Sequence, residues 1–127
     1  MTLKIYISFP LSMLESPENM AALQVKIMNL ALYLALMGVK TKIYAPQKHM
    51  EQLFPRPSVG EKRLKRKICD EILRDCDAVY VCGGRTAAVR KEIRLAQEKN
   101  LFLIRENFLK EDVLKIIEKE ASINEHH

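Results

Sequence analysis

The segment VCGGRTAAVRKEI, Val81 to Ile93, holds the residues best placed to do chemistry. An apolar run from Ala78 to Cys82 stops at Gly83-Gly84, Arg85 and Thr86 follow, and a helical pattern then carries Glu92 about one and a half turns in. Take Val89, Ile93 and Ala96 as the centre of that helix's apolar stripe. At about 100° per residue, Glu92 falls roughly 60° from the centre, on the stripe's margin. Arg90, Lys91, Arg94 and Glu98 lie well round on the solvent side. A carboxylate on that margin, near a helix N-terminus, can act as nucleophile, base or acceptor for a ligand hydroxyl. Thr86 and the free N–H groups of the first turn favour an anion, to which Arg85 adds a charge-assisted contact. The glycines mark a place where the backbone approaches something closely or simply turns, and they do not form a GxGxxG dinucleotide fingerprint. An ordinary reading stands beside this one: a threonine that only caps its helix and a glutamate on its margin.

Positioning those residues requires a regular scaffold, and strand and helix patterns alternate along the whole chain. LKIYISF (Leu3 to Phe9) alternates and is rich in β-formers. Ser16-Pro17-Glu18 supplies an N-cap, a proline at the first helical position and an acid in the first turn of a helix running to about Met37, with Gly38 as its stop. VKTKIYA (Val39 to Ala45) reads as a second strand. Pro46 to Pro57 reads as a loop, with at most one helical turn at Lys48 to Leu53. Ser58-Val59-Gly60-Glu61 matches a capping box and opens a helix whose apolar stripe is taken as Leu64, Ile68, Ile72 and Cys76. Asp77 to Cys82 forms a third strand with too little alternation to be half exposed. Thr86 caps the next helix, to about Lys99; Leu101 to Ile104 is a fourth strand, and Asn107 to about Ala121 a final helix.

Strands each followed by a helix, through short connections, imply right-handed crossovers and a parallel sheet covered on both faces. The expected fold is α/β, a flavodoxin-like three-layer sandwich with a four- to five-stranded parallel sheet in the order 2-1-3-4. Residues 1–122 make one domain, and 123–127, ending in His126-His127, read as a tag-derived tail. Ligands of such sheets sit beyond the strands' carboxyl ends where strand order reverses. That places the crevice between Ser8–Ser16 and Gly83–Arg85. From Met20 to Met37 the only charge is Lys26, more apolar surface than one sheet contact needs. A partner subunit on the segment 17–37 is the expected cover; close packing by the helix's own neighbours is the alternative.

Composition narrows the function classes. The 127 residues suit one domain, and 48% hydrophobic with 29% charged residues argues against disorder. A formal charge of +5 biases the protein mildly towards anions such as phosphates, below the footprint of a dedicated nucleic-acid binder. EKRLKRK (Glu61 to Lys67) reads chiefly as a solvated helix face, with a phosphate or nucleic-acid stripe as the other reading; no aromatic residue interleaves for base stacking. No signal-peptide pattern opens the chain, and the greasiest stretch, Ile27 to Met37, is too short to span a bilayer. Cys69, Cys76 and Cys82 contain no CxxC pair and no metal set, so reduced thiols in a cytoplasmic protein without metal or cofactor are expected.

KIYISFP and CDEILRDCDAVYVCGGRTAAVRKEIRLAQEKNLFLI together resemble the nucleoside 2-deoxyribosyltransferase-like superfamily over roughly residues 3 to 104. The family pattern has a first strand ending in a Tyr- and Pro-containing loop, then a helix ending in Cys/Ala-Asp and an apolar strand, and finally a Ser/Thr-x-Gly-x-x-x-Glu segment. The resemblance implies that Glu92 is a nucleophile attacking C1′ of a nucleoside as the base leaves, with a glycosyl-enzyme resolved by water or a second base. It implies that Tyr6, with Ser8, Phe9 and Pro10, walls base and sugar, and that Thr86, Arg85 and the Gly83-Gly84 backbone hold a phosphate or sugar. Two positions depart from the pattern. Ala88 replaces the glycine before the nucleophile, and Cys69 stands where the family often has an aspartate, with Asp70 one residue away. The expected function is an N-glycosidase or deoxyribosyltransferase acting on a nucleoside or its 5′-monophosphate. The alternative is a non-catalytic nucleotide-binding or sensing module on the same fold. Nucleic acid and membrane are not expected partners.

Overall fold

The computed structural model describes residues 2–125, and the side chains of residues 2–120. The tail residues His126 and His127 therefore lie outside the described residues, as do the side chains of 123–125. The elements are β1 (Thr2–Ser8), α1 (Pro17–Leu36), β2 (Lys40–Tyr44), α2 (Pro46–Leu53), α3 (Val59–Arg74), β3 (Ala78–Val81), α4 (Ala87–Glu98), β4 (Phe102–Arg105) and α5 (Leu109–Glu125). All four strands pair in parallel in the order β2-β1-β3-β4. This is the α/β sandwich that the alternation implies. Strand order reverses between β1 and β3, whose register sets Ile5 against Ala78 and Ser8 against Val81.

Successive side chains of β1 point to opposite faces, and this sorts the core into two layers. Leu3, Ile5 and Ile7 pack with Leu23, Leu30 and Leu34 of α1 and Val113 and Ile116 of α5. Tyr6 instead joins Cys69, Leu73, Val79, Val81, Val89 and Ile93 on the α3/α4 side. All four residues of β3 are buried, as expected of a strand covered on both faces. The caps behave as their residue types require. Ser16 accepts from Asn19, the Ser58/Glu61 capping box closes in both directions, and Thr86 accepts from the Val89 amide.

Three expectations need correcting, and the surplus apolar surface expected of α1 is present. The segment after β2 holds a full helix, α2, because Pro46 fills its first turn without losing a hydrogen bond. On α3 the buried positions are Cys69 and Leu73, followed by Cys76, while Leu64 is 46% exposed. A ladder in steps of four drifts about 40° per step around a helix, so the stripe Leu64-Ile68-Ile72-Cys76 does not stay on one face. α1 carries a second apolar stripe, Val25, Met28, Leu32 and Leu36, exposed and opposite its buried one. By length and composition the whole of α1, rather than only Ile27 to Met37, would suffice to cross a membrane; here it lies on the sheet.

Candidate functional site

Tyr6 and Ser8 stand two residues apart on β1 and so project to the same face, towards α4. Glu92 projects from α4 to meet them and is only 3% exposed. Its Oε2 accepts from the Tyr6 hydroxyl and, at 3.0 Å, from Nη2 of Arg66. Its Oε1 accepts from the Ser8 hydroxyl at 2.8 Å. A buried carboxylate persists only with such partners, since a lone charge in a low-dielectric site is expensive.

Electrostatics follow from the same contacts. Burial, reinforced by the Glu92 charge, drives the Tyr6 phenol well above its ordinary range, so it is a fixed proton donor. Burial opposes the charge on Arg66, but Glu92 outweighs it and raises the guanidinium further. Arg66 is in turn gripped by Asp70, with Nε at 2.9 Å and Nη2 at 2.7 Å from Oδ1. Burial also raises the Cys69 thiol, which keeps it protonated and poorly nucleophilic.

The carboxylate opens onto a cavity of about 370 Å³ beyond the carboxyl end of β1, among α2, α3 and α4. Phe9 and Leu11 form one wall, Gln47 and Met50 of α2 another, and Arg66, Cys69 and Ala88 the floor around Glu92. Lys62 and Lys65 stand at the α3 side; Lys65 is paired with Glu51 at 2.7 Å. Gln47 is 7% exposed and donates through Nε2 to the Ile7 carbonyl at 2.9 Å and to the Tyr6 hydroxyl at 3.2 Å. Its Oε1 is the one buried side-chain polar atom without a hydrogen-bond partner among the described residues. That oxygen is closed to solvent, so a ligand N–H or O–H in the cavity would meet it only after a shift of the Gln47 side chain.

The expected site residues divide into two groups. Glu92 and Phe9 line the cavity, whereas Tyr6 and Ser8, expected as walls for base and sugar, are fully buried behind Glu92 and reach the site only through that carboxylate. Gly83, Gly84 and Arg85 instead line a separate cavity of about 240 Å³ with Arg105 to Phe108. The cause is local: the Gly83 amide donates to Glu106 at 2.8 Å, and Gly83, at φ +80°, lies where a Cβ would meet Met13 at 3.2 Å and Pro10 at 3.4 Å. Pro10 therefore backs the glycine turn, and Thr86 is occupied as the cap of α4. Asp70 is not on the cavity wall; it reaches the site only through Arg66. Arg66, Lys62, Lys65 and Gln47 are site residues that the sequence reading missed. The signal for the first three was present, because Lys62, Lys65 or Arg66, Cys69 and Leu73 recur at steps of three and four. Among the described residues no group of three or more His, Cys, Asp and Glu side chains is arranged to hold a metal.

No protein-family model matches the chain, and no curated protein matches it in sequence.

Proposed function

We propose that the protein cleaves the N-glycosidic bond of a nucleoside or nucleoside 5′-monophosphate through Glu92, as an N-glycosidase or deoxyribosyltransferase. The resemblance of its first strand and its CDEILRDCDAVYVCGG…E segment to the deoxyribosyltransferase-like superfamily supplies the reaction class. One observation carries the reading: a carboxylate 3% exposed at the floor of a cavity, held by Tyr6, Ser8 and Arg66. The two oxygens are not equivalent. Oε2 is occupied by two donors, whereas among the described residues Ser8 alone donates to Oε1. Oε1 therefore attacks C1′ as the C1′–N bond breaks, its electron pair leaving with the base, which takes up a proton. The resulting sugar ester on Glu92 is opened by water or by a second base. A ligand that displaces the Gln47 side chain gains its free Oε1 as an acceptor.

A non-catalytic nucleotide-binding role is the second reading, and Cys69 favours it. A protonated, buried thiol lines the cavity where the family often has an acid to steer the leaving base. The deciding experiment follows free base by chromatography after wild type and Glu92→Gln are incubated with a panel of nucleosides and 5′-monophosphates. Release by wild type that falls roughly 10³-fold or more in the variant supports the enzyme. Saturable binding without release by either protein supports the sensor.

A second copy of this chain is the cover we propose for the outer stripe of α1. Two-fold pairing brings each residue near its own copy or close to it, so a self-pairing face must carry little charge. Val25, Met28, Leu32 and Leu36 are exposed with no charge among them, and Lys26 is turned aside to Glu106 at 2.9 Å. A membrane-surface helix would flank such a stripe with free Lys or Arg, which α1 lacks. The three cysteines are free and buried, in keeping with a reducing cytoplasmic setting.

A further inference from the structure

We propose that Arg66 is a positioning residue for Glu92, and that Asp70 acts on the site at one remove by holding Arg66. This rests on Glu92 being the reacting group. The guanidinium enters from α3, at the opposite side of the carboxylate from the β1 hydroxyl of Ser8, and its Nη2 lies 3.0 Å from Glu92 Oε2 and 2.7 Å from Asp70 Oδ1. Nε, 2.9 Å from the same Asp70 oxygen, fixes the plane of the fork. An arginine so gripped has little rotamer freedom left to lose, and its planar donors hold an acceptor in one orientation better than an ammonium could. Together with Tyr6 it occupies Oε2, so that rotation of the carboxylate is restricted and Oε1 is left with Ser8 as its donor. Arg66 is partly exposed, at 37%, whereas the carboxylate it steers is not. The arrangement is therefore an outer clamp on an inner reacting group.

The chain's own geometry explains why Asp70 matters despite facing away from the cavity. Residues four apart on a helix are neighbours, and Arg66 and Asp70 form such a pair on α3. Exposed pairs of this kind contribute little to stability. Here the pair has a third member, buried on another helix, and its use is to aim the guanidinium.

The test compares Arg66→Met, Arg66→Lys and Asp70→Asn with wild type on the best substrate of the panel, with Arg63→Met as a control for lost charge on the outer side of α3. The expected result for Arg66→Met is a kcat lower by about 100-fold with KM within about threefold, since a misplaced reacting group loses rate rather than affinity. Added guanidinium ion should restore part of that loss, Arg66→Lys should be intermediate, and Asp70→Asn should lower kcat by roughly tenfold. A loss confined to KM would make Arg66 a ligand anchor and overturn the proposal, as would unchanged kinetics in Arg66→Met. Should wild type release no base at all, the glycosidase reading fails, and thermal unfolding of Arg66→Met, Glu92→Gln and the double variant decides the clamp by itself. Non-additive shifts in Tm uphold the coupling of Arg66 to Glu92, and additive shifts overturn it.

Discussion

Replacing Tyr6 by phenylalanine removes one oxygen from the centre of the site and leaves the ring packing intact. The hydroxyl is fully buried, donates to Glu92 and accepts from Gln47 Nε2 at 3.2 Å. Gln47 keeps its bond to the Ile7 carbonyl at 2.9 Å, so its loss is minor. Glu92 keeps Ser8 and Arg66 but must hold a buried charge with one donor fewer. A hydrogen bond to a charged group contributes about 1.5–3 kcal/mol, and the void left by one oxygen is small, so Tyr6→Phe should cost about 2 kcal/mol. For a domain of this size that lowers Tm by roughly 6–10 °C. Urea unfolding followed by circular dichroism measures it, with the midpoint falling and the slope against urea unchanged. The double variant with Glu92→Gln should lose less than the sum, because the buried charge that needed the phenol is gone. A Tyr6→Phe protein within about 0.5 kcal/mol of wild type, a change typical of neutral surface sites, would refute the contact as a source of stability.

Other consequences can be measured separately. Burial, with Asp77 adding to it, pushes the Cys76 thiol up to about 11, and burial with Glu106 pushes Cys82 up to about 12. Both folded values lie above the ordinary 9.0, so this contribution is fully present below about pH 9 and is lost as pH rises through 11 and 12. Under reducing conditions Tm should therefore fall steadily above pH 9, less so in Cys82→Ala; a flat profile to pH 11 would contradict the burial of these thiols. Light scattering should report a mass above one chain for wild type and a monomer for Leu32→Glu; a monomeric wild type at high concentration removes the α1 contact. Gln47→Met, of similar length, should weaken ligand binding by roughly tenfold while base release at saturation changes little, as expected when one hydrogen bond to a ligand is lost. An unchanged KM would show that its free oxygen does not meet the ligand.

The sheet order was legible because each strand signal is followed by a helix signal across a short connection, and only one handedness of crossover is common. Glu92 was legible as well: its angle from Val89, Ile93 and Ala96 placed it on the edge of the buried stripe, and it is buried. Arg66 was hidden by the choice of Leu64 as a stripe member, which turned α3 so that the basic run faced water. The spacing Lys62-Arg66-Cys69-Leu73 is equally helical; its Cys69 and Leu73 are buried, and Lys62, Arg66 and Cys69 line the cavity. Gln47 was hidden because Pro46 reads as a loop residue unless it is recognised as the first position of a helix. The turn Gly83 to Arg85 could not be oriented from periodicity at all. Its direction depends on the Glu106 carboxylate, 23 residues away in sequence, and on Pro10 across the sheet.

The most direct test of the account is to look for the sugar on Glu92. Wild type is mixed with an active nucleoside or monophosphate, quenched in acid within the turnover time, digested, and mapped by mass spectrometry. A pentosyl adduct on the peptide that carries Glu92, absent from the Glu92→Gln protein, is the predicted result. Turnover with no adduct on that peptide, continuing undiminished in the variant, would contradict the assignment of Glu92 as the nucleophile.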